Sequence, residues 1–111
     1  MTDKPELSLL LDYYGSFLTD RQRELMRMSA DEDMSLSEIA EEVGVSRQGV
    51  RDCLNKASRQ LHSFEEGLGL IERDMKLRAV LDKLDSVDPG NAEETKAAIR
   101  YAAVELRSII R

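Results

Sequence analysis

The sequence predicts an all-α protein, and three observations carry that prediction. Apolar residues recur at three- and four-residue intervals along almost the whole chain, without convincing strand alternation. Thr19 and Ser35 stand three residues before Gln22 and Glu38, the spacing of a capping box at a helix start. The turn signals are few and well separated: Gly44, the pair Gly67 and Gly69, and the run Asp88, Pro89, Gly90, Asn91. They divide the chain into six helices, four in a compact head over residues 1–66 and two in a C-terminal hairpin over residues 67–111.

The first helix is expected over Leu7 to Phe17, with Leu10, Tyr13, Tyr14 and Phe17 on one face and Gly15 weakening its end. Thr19 then caps a helix that exposes Arg21, Arg23 and Arg27 and turns Leu25, Met26 and Met28 inward. Ala30 to Met34 reads as an acidic connection. Ser35 opens the third helix, which carries Leu36, Ile39, Ala40 and Val43 inward. Gly44 suits the left-handed position that ends a helix, where a side chain would strain the backbone. Val45 is expected to plug the turn, and Ser46 to cap the fourth helix, whose buried side holds Val50, Cys53, Leu54, Ala57 and Leu61. The glycines at 67 and 69 should both interrupt it. A fifth helix, about 70 to 84, has the stripe Leu70, Leu77, Val80, Leu81, Leu84; the last aligns Ile99, Ala102, Ala103, Leu106, Ile109 and Ile110. Those two stripes can meet each other, pack on the head, or make a helix–helix homodimer.

Residues 35–62 satisfy a helix-turn-helix. Its two short helices cross steeply, so the motif needs a small residue at the crossing (Ala40), a sharp turn (Gly44) and an apolar wedge (Ile39, Val45, Val50). In such a unit the first turns of the second helix project into the DNA major groove. Here they present Arg47, Gln48 and Arg51, which suit guanine and adenine edges. Lys56 and Arg59, with Arg21, Arg23 and Arg27 from the second helix, are candidates for phosphate contacts. The competing expectation is a solvated charged face on a protein-docking module.

Charge sharpens that question. The 111 residues carry a formal charge of -6, yet Ser46 to His62 holds four bases against Asp52 alone, a local +3. The acidic neighbours Glu38, Glu41 and Glu42 predict weak, salt-sensitive nucleic-acid binding. The single cysteine, Cys53, excludes an intramolecular disulfide and a cysteine metal cluster, and is expected in the core. The single histidine, His62, excludes a histidine metal site and reads as a helix-surface residue. No phosphate-binding glycine loop, calcium loop or catalytic triad is present, so neither enzymatic activity nor a cofactor is expected. No apolar run reaches the roughly 18 residues of a membrane span, so no membrane partner is expected and the cytoplasm is the expected location.

From Leu18, the stretch LTDRQRELMRMSADEDMSLSEIAEEVGVSRQGVRDCLNKASRQL resembles region 4 of bacterial sigma-70 factors, in which a capped arginine-containing helix precedes a promoter-reading helix-turn-helix. Over residues 7–85 the chain resembles the YlxM family of small bacterial proteins, on LLLDYYGSFLTDRQRELM, LSEIAEEVGVSRQGVRD and FEEGLGL. That resemblance implies a part in the signal recognition particle pathway. The partner would be a nucleic acid, DNA or the particle's RNA. The alternative it implies is an adaptor for the particle's GTPase or its receptor.

Overall fold

The computed structural model describes residues 3–110 and divides the chain into two compact units, residues 1–69 and 70–111. Unit one contains four α-helices: α1 (Lys4–Tyr14), α2 (Asp20–Met26), α3 (Leu36–Val43) and α4 (Arg47–Leu68). Unit two contains α5 (Leu70–Asp85) and α6 (Ala92–Ile110). No strand occurs among the described residues.

Each start in the head follows from a side-chain cap. Asp3 accepts from the Glu6 amide, and Pro5 stands in the first turn of α1, where its missing N–H costs nothing. The boxes at Thr19 and Ser35 are both complete: each hydroxyl accepts from the amide three residues on, and Gln22 or Glu38 accepts from the cap amide at 3.0 Å. The hydroxyl of Ser46 accepts from the Gly49 amide at 3.0 Å. Gly44 has φ 73, the left-handed conformation its residue type predicts, and its amide donates to the Ala40 carbonyl.

The core of the head draws on all four helices. Leu7, Leu10, Leu11 and Tyr14 from α1 meet Leu25 and Met26 of α2, Ile39 and Ala40 of α3, and the row Val50, Leu54, Ala57, Leu61 of α4. That last row repeats at intervals of four, three and four, one face of a helix. Rings close the far end of α4: Phe64 lies 6.0 Å from Tyr14 and 5.4 Å from Phe17, and the Tyr14 hydroxyl donates to Glu65. Gln22, a buried polar residue, reaches Gln60 of α4 with its amide nitrogen and so joins α2 to α4.

Five expectations are corrected in the head. α1 stops at Tyr14, and Gly15–Phe17 forms a 3-10 turn that leaves Phe17 mostly exposed. Gly15 is right-handed there, and an added Cβ would lie 3.1 Å from the Cδ1 of Leu11, so a side chain at this position needs Leu11 to give way. The expected acidic connection begins inside a helix: Arg27–Asp31 is a π-helical turn that takes in Ala30 and Asp31, with the Glu32 amide reaching back five residues to the Arg27 carbonyl. Val45 is 41% exposed and does not fill the turn; Ile39 and Val50 alone are sealed between the helices. α4 runs through Gly67 and stops only at Gly69, whose φ of 62 ends it. Finally, Cys53 is half-buried rather than fully enclosed.

In unit two, α5 and α6 pack on each other as a hairpin joined by residues 86–91, with Asp88 accepting from the Gly90 amide and Asn91 capping α6 through the Glu94 amide. Its buried residues are Val80, Ala98 and Ala102. The sequence stripe is therefore divided: Ala102 is buried, while Ile99, Leu106 and Ile110 remain exposed.

Candidate nucleic-acid interface

The exposed side of α4 begins where its buried side is anchored. Val50 and Leu54 fix the rotation of the helix against α1–α3, which turns Arg47, Gln48 and Arg51 outward in its first turns. Arg47 also reaches across the turn to α3, with its guanidinium 3.4 Å from the Ser37 hydroxyl. Leu36, Arg47, Gln48 and Arg51 line one concavity, and Leu36, Arg51, Leu54 and Asn55 line the next. An arginine-rimmed groove with an apolar floor thus runs between the start of α3 and the second turn of α4.

Helical spacing sorts the remaining candidates. Gln48, Asp52, Asn55 and Arg59 follow at intervals of four, three and four, so they form the crest opposite the buried row. On that crest the Gln48 amide donates to the Asp52 carboxylate at 2.8 Å. Lys56 lies on the flank away from Arg47, beside Cys53, and the charge of Arg21 from α2 falls on the same thiol. Burial pushes the Cys53 thiol above its ordinary pKa despite those two cations, so it stays protonated at neutral pH.

Arg23 and Arg27 are not part of this assembly. Arg23 lies on α2 and Arg27 opens the π-helical turn after it, both on the side away from Arg21, in concavities lined by Asp12, Asp20, Glu24, Asp31 and Glu32. Arg23 is held by the protein itself: its Nε donates to the Gly15 carbonyl at 3.2 Å, and a terminal nitrogen contacts Asp20 at 3.1 Å and the Leu18 carbonyl at 3.5 Å.

The acidic connection, too, is tied down. Ser8 of α1 donates to Asp31 and to the Ala30 carbonyl, and Lys4 pairs with Asp33. That pairing holds the Asp33 carboxyl below its usual pKa, while the amide and hydroxyl of Ser35 do the same for Glu38. Asp33 has φ 55, a left-handed value that aspartate tolerates better than most residues.

Comparison with known proteins agrees with this architecture. The model of a family described as "Putative helix-turn-helix protein, YlxM / p13 like" (UPF0122) matches residues 1–99. The chain belongs to the UPF0122 family. Similar members include a UPF0122 protein of Thermoanaerobacter sp. (strain X514), 47% identical over 78 residues, 70% of this chain and 67% of that one. A UPF0122 protein of Symbiobacterium thermophilum is 38% identical over 107 residues, 93% of this chain and 100% of the other. One from Clostridium perfringens (strain 13) is 36% identical over 110 residues, 99% and 98%. The likeness therefore spans both units of the UPF0122 chain.

Sequence reasoning missed two residues of the groove in this UPF0122 protein. Asn55 was findable, since it completes the crest at 48, 52, 55 and 59. Leu36 carried no signal, because an apolar residue in the first turn of an amphipathic helix reads as core. Among the described residues no group of His, Cys, Asp and Glu is arranged to hold a metal, and no helix is long and apolar enough to cross a membrane.

Proposed function

We propose that this protein binds nucleic acid through the first turns of α4, as a regulatory helix-turn-helix protein. What carries the reading is the pairing of a rigidly seated helix with an outward basic start: Val50 and Leu54 are buried while Arg47, Gln48 and Arg51 face solvent one turn apart. Arg47 and Arg51 supply bidentate donors for guanine and Gln48 pairs with adenine. Lys56, Arg59 and Arg21 lie further round and meet phosphates. Duplex DNA is the better fit, because the B-form major groove admits a helix and the narrow A-form one does not. The resemblance to YlxM proteins adds the signal recognition particle pathway as the setting, with an unpaired loop of the particle's RNA as the other nucleic-acid target.

A second reading follows from the groove floor. Leu36 and Leu54 offer an apolar strip beside Arg51, which suits an amphipathic protein segment, and a chain of net charge -6 is a poor general polyanion binder. On that reading the protein is an adaptor for the targeting GTPase or its receptor.

Anisotropy titrations of labelled duplex DNA and of the particle RNA, at low and moderate salt, separate the two. Binding that falls steeply with salt and disappears in Arg47→Ala/Arg51→Ala supports the first reading. Absence of binding to either nucleic acid at low salt, with the GTPase retained on an affinity column, overturns it.

A further inference from the structure

The C-terminal hairpin leaves a row of apolar residues exposed along one side, with Asp74 at its α5 end. On α6 the residues turned to α5 follow the series Ala98, Ala102, Glu105, Ile109; the series one position later, Ile99, Ala103, Leu106, Ile110, has the same spacing of four, three and four. One position is about 100° of rotation, so the second series faces sideways out of the hairpin. The same displacement occurs on α5, where Val80 is buried and Leu77, Leu81 and Leu84 form the neighbouring series. Because the two helices run in opposite directions and both displacements are toward higher residue numbers, both outward series lie on the same side. Leu81 is 58% exposed, Ile99 60% and Ile110 79%, with Leu84 and Leu106 also exposed. Spacing of four and three is that of helices which pack side by side at a shallow angle. Two helices cannot enclose such a face; four can.

The rim indicates what covers it. Beyond the apolar series, α5 carries Arg78, Asp82 and Asp85, a net -1, and α6 carries Glu93, Lys96, Arg100 and Arg107, a net +2. In the hairpin, position 82 lies level with about position 96, counting outward from the turn at residues 86–91. A second hairpin related by a two-fold axis parallel to the helices sets each α5 against the other copy's α6, antiparallel, with the acidic edge of one along the basic edge of the other. The alternative two-fold, perpendicular to the helices, would set acid on acid and base on base.

We propose that two copies of this chain pair through Leu77, Leu81, Leu84, Ile99, Leu106 and Ile110 as an antiparallel four-helix bundle, α5 against the partner's α6. The pairing does not depend on what α4 binds.

Sedimentation velocity of the full chain over a range of concentrations tests it, with helix content followed by circular dichroism. The wild type should sediment at twice the 12.6 kDa chain mass. Ile99→Glu/Leu106→Glu should sediment as a monomer with unchanged helicity, since neither side chain is in the hairpin's own core. Asp82→Lys/Asp85→Lys should weaken pairing about tenfold, as should Lys96→Glu/Arg100→Glu. The chain carrying all four reversals should pair nearly as well as the wild type. If the glutamate variant loses helicity, the three rim variants decide alone. A wild type monomeric at all concentrations, a glutamate variant that stays folded and dimeric, or a four-fold reversal that fails to restore pairing would overturn the proposal.

Discussion

Arg23 and Arg47 are both arginines near the start of a helix, yet their surroundings give them opposite employment. Arg23 donates to the carbonyls of Gly15 and Leu18 and closes the 3-10 turn onto α2, while Arg47 reaches the Ser37 hydroxyl and stays exposed. Arg23→Ala leaves those acceptors without their donor and should cost about 1–2 kcal/mol, read by urea unfolding, with little change in nucleic-acid affinity. Arg47→Ala should show the reverse. The sequence could not distinguish them, because Arg23's partners are backbone oxygens and carry no residue identity. Gly44, by contrast, was legible: only the left-handed region could be required between Val43 and Ser46. An added Cβ there meets nothing within 4 Å, so Gly44→Ala isolates the backbone strain. It should cost about 1–2 kcal/mol in the same assay, with Gly44→Asn costing less. Asp33 contributes a pH dependence. Its pKa is depressed in the fold by Lys4, so its stabilisation is present above the unfolded carboxylate pKa and is lost as pH falls through the folded one. Asp33→Asn should therefore lower Tm at neutral pH and leave it almost unchanged in acid.

At the scale of elements, periodicity located the six helices and the caps at Thr19, Ser35 and Ser46, since each cap depends on a side chain visible in the sequence. It failed where geometry departs from 3.6 residues per turn. The 3-10 turn at 15–17 and the π-helical turn at 27–31 have no simple sequence code, and a helix tolerates glycine in its interior, as Gly67 shows. The crest of α4 yields a prediction of its own. Asp52 holds the amide of Gln48 and adds a negative charge within the basic start of the helix. Asp52→Asn should strengthen DNA binding about threefold at low salt, an advantage that shrinks as salt rises. An Asp52→Asn protein that binds more weakly would mean that this carboxylate itself accepts from a base.

For the molecule as a whole, the charge of -6 and the basic α4 are compatible because residues 46–62 carry Asp52 as their one acid and the other acids lie elsewhere. Glu41 and Glu42 lie on α3, and the acids around Arg23 and Arg27 occupy the side of α2 away from Arg21. Affinity for nucleic acid should then depend on a few cations rather than on the net charge. Lys56→Ala should lower the slope of log affinity against log salt by about one, and Arg27→Ala should leave it unchanged. Titration at four or five salt concentrations reads both.

The π-helical turn at Arg27–Asp31 also bears on how this family can change its length. A wide turn holds one residue more than an α-turn over the same rise, so it is a place where the chain stores slack. Removing one residue from it can be absorbed by tightening the turn, leaving the caps at Thr19 and Ser35 in register with their helices. Removing one from Leu36–Val43 would instead swing Ile39 about 100° out of the core. Insertions and deletions among relatives are thus expected to collect at residues 27–34, where they leave the seating of α3 and α4 undisturbed.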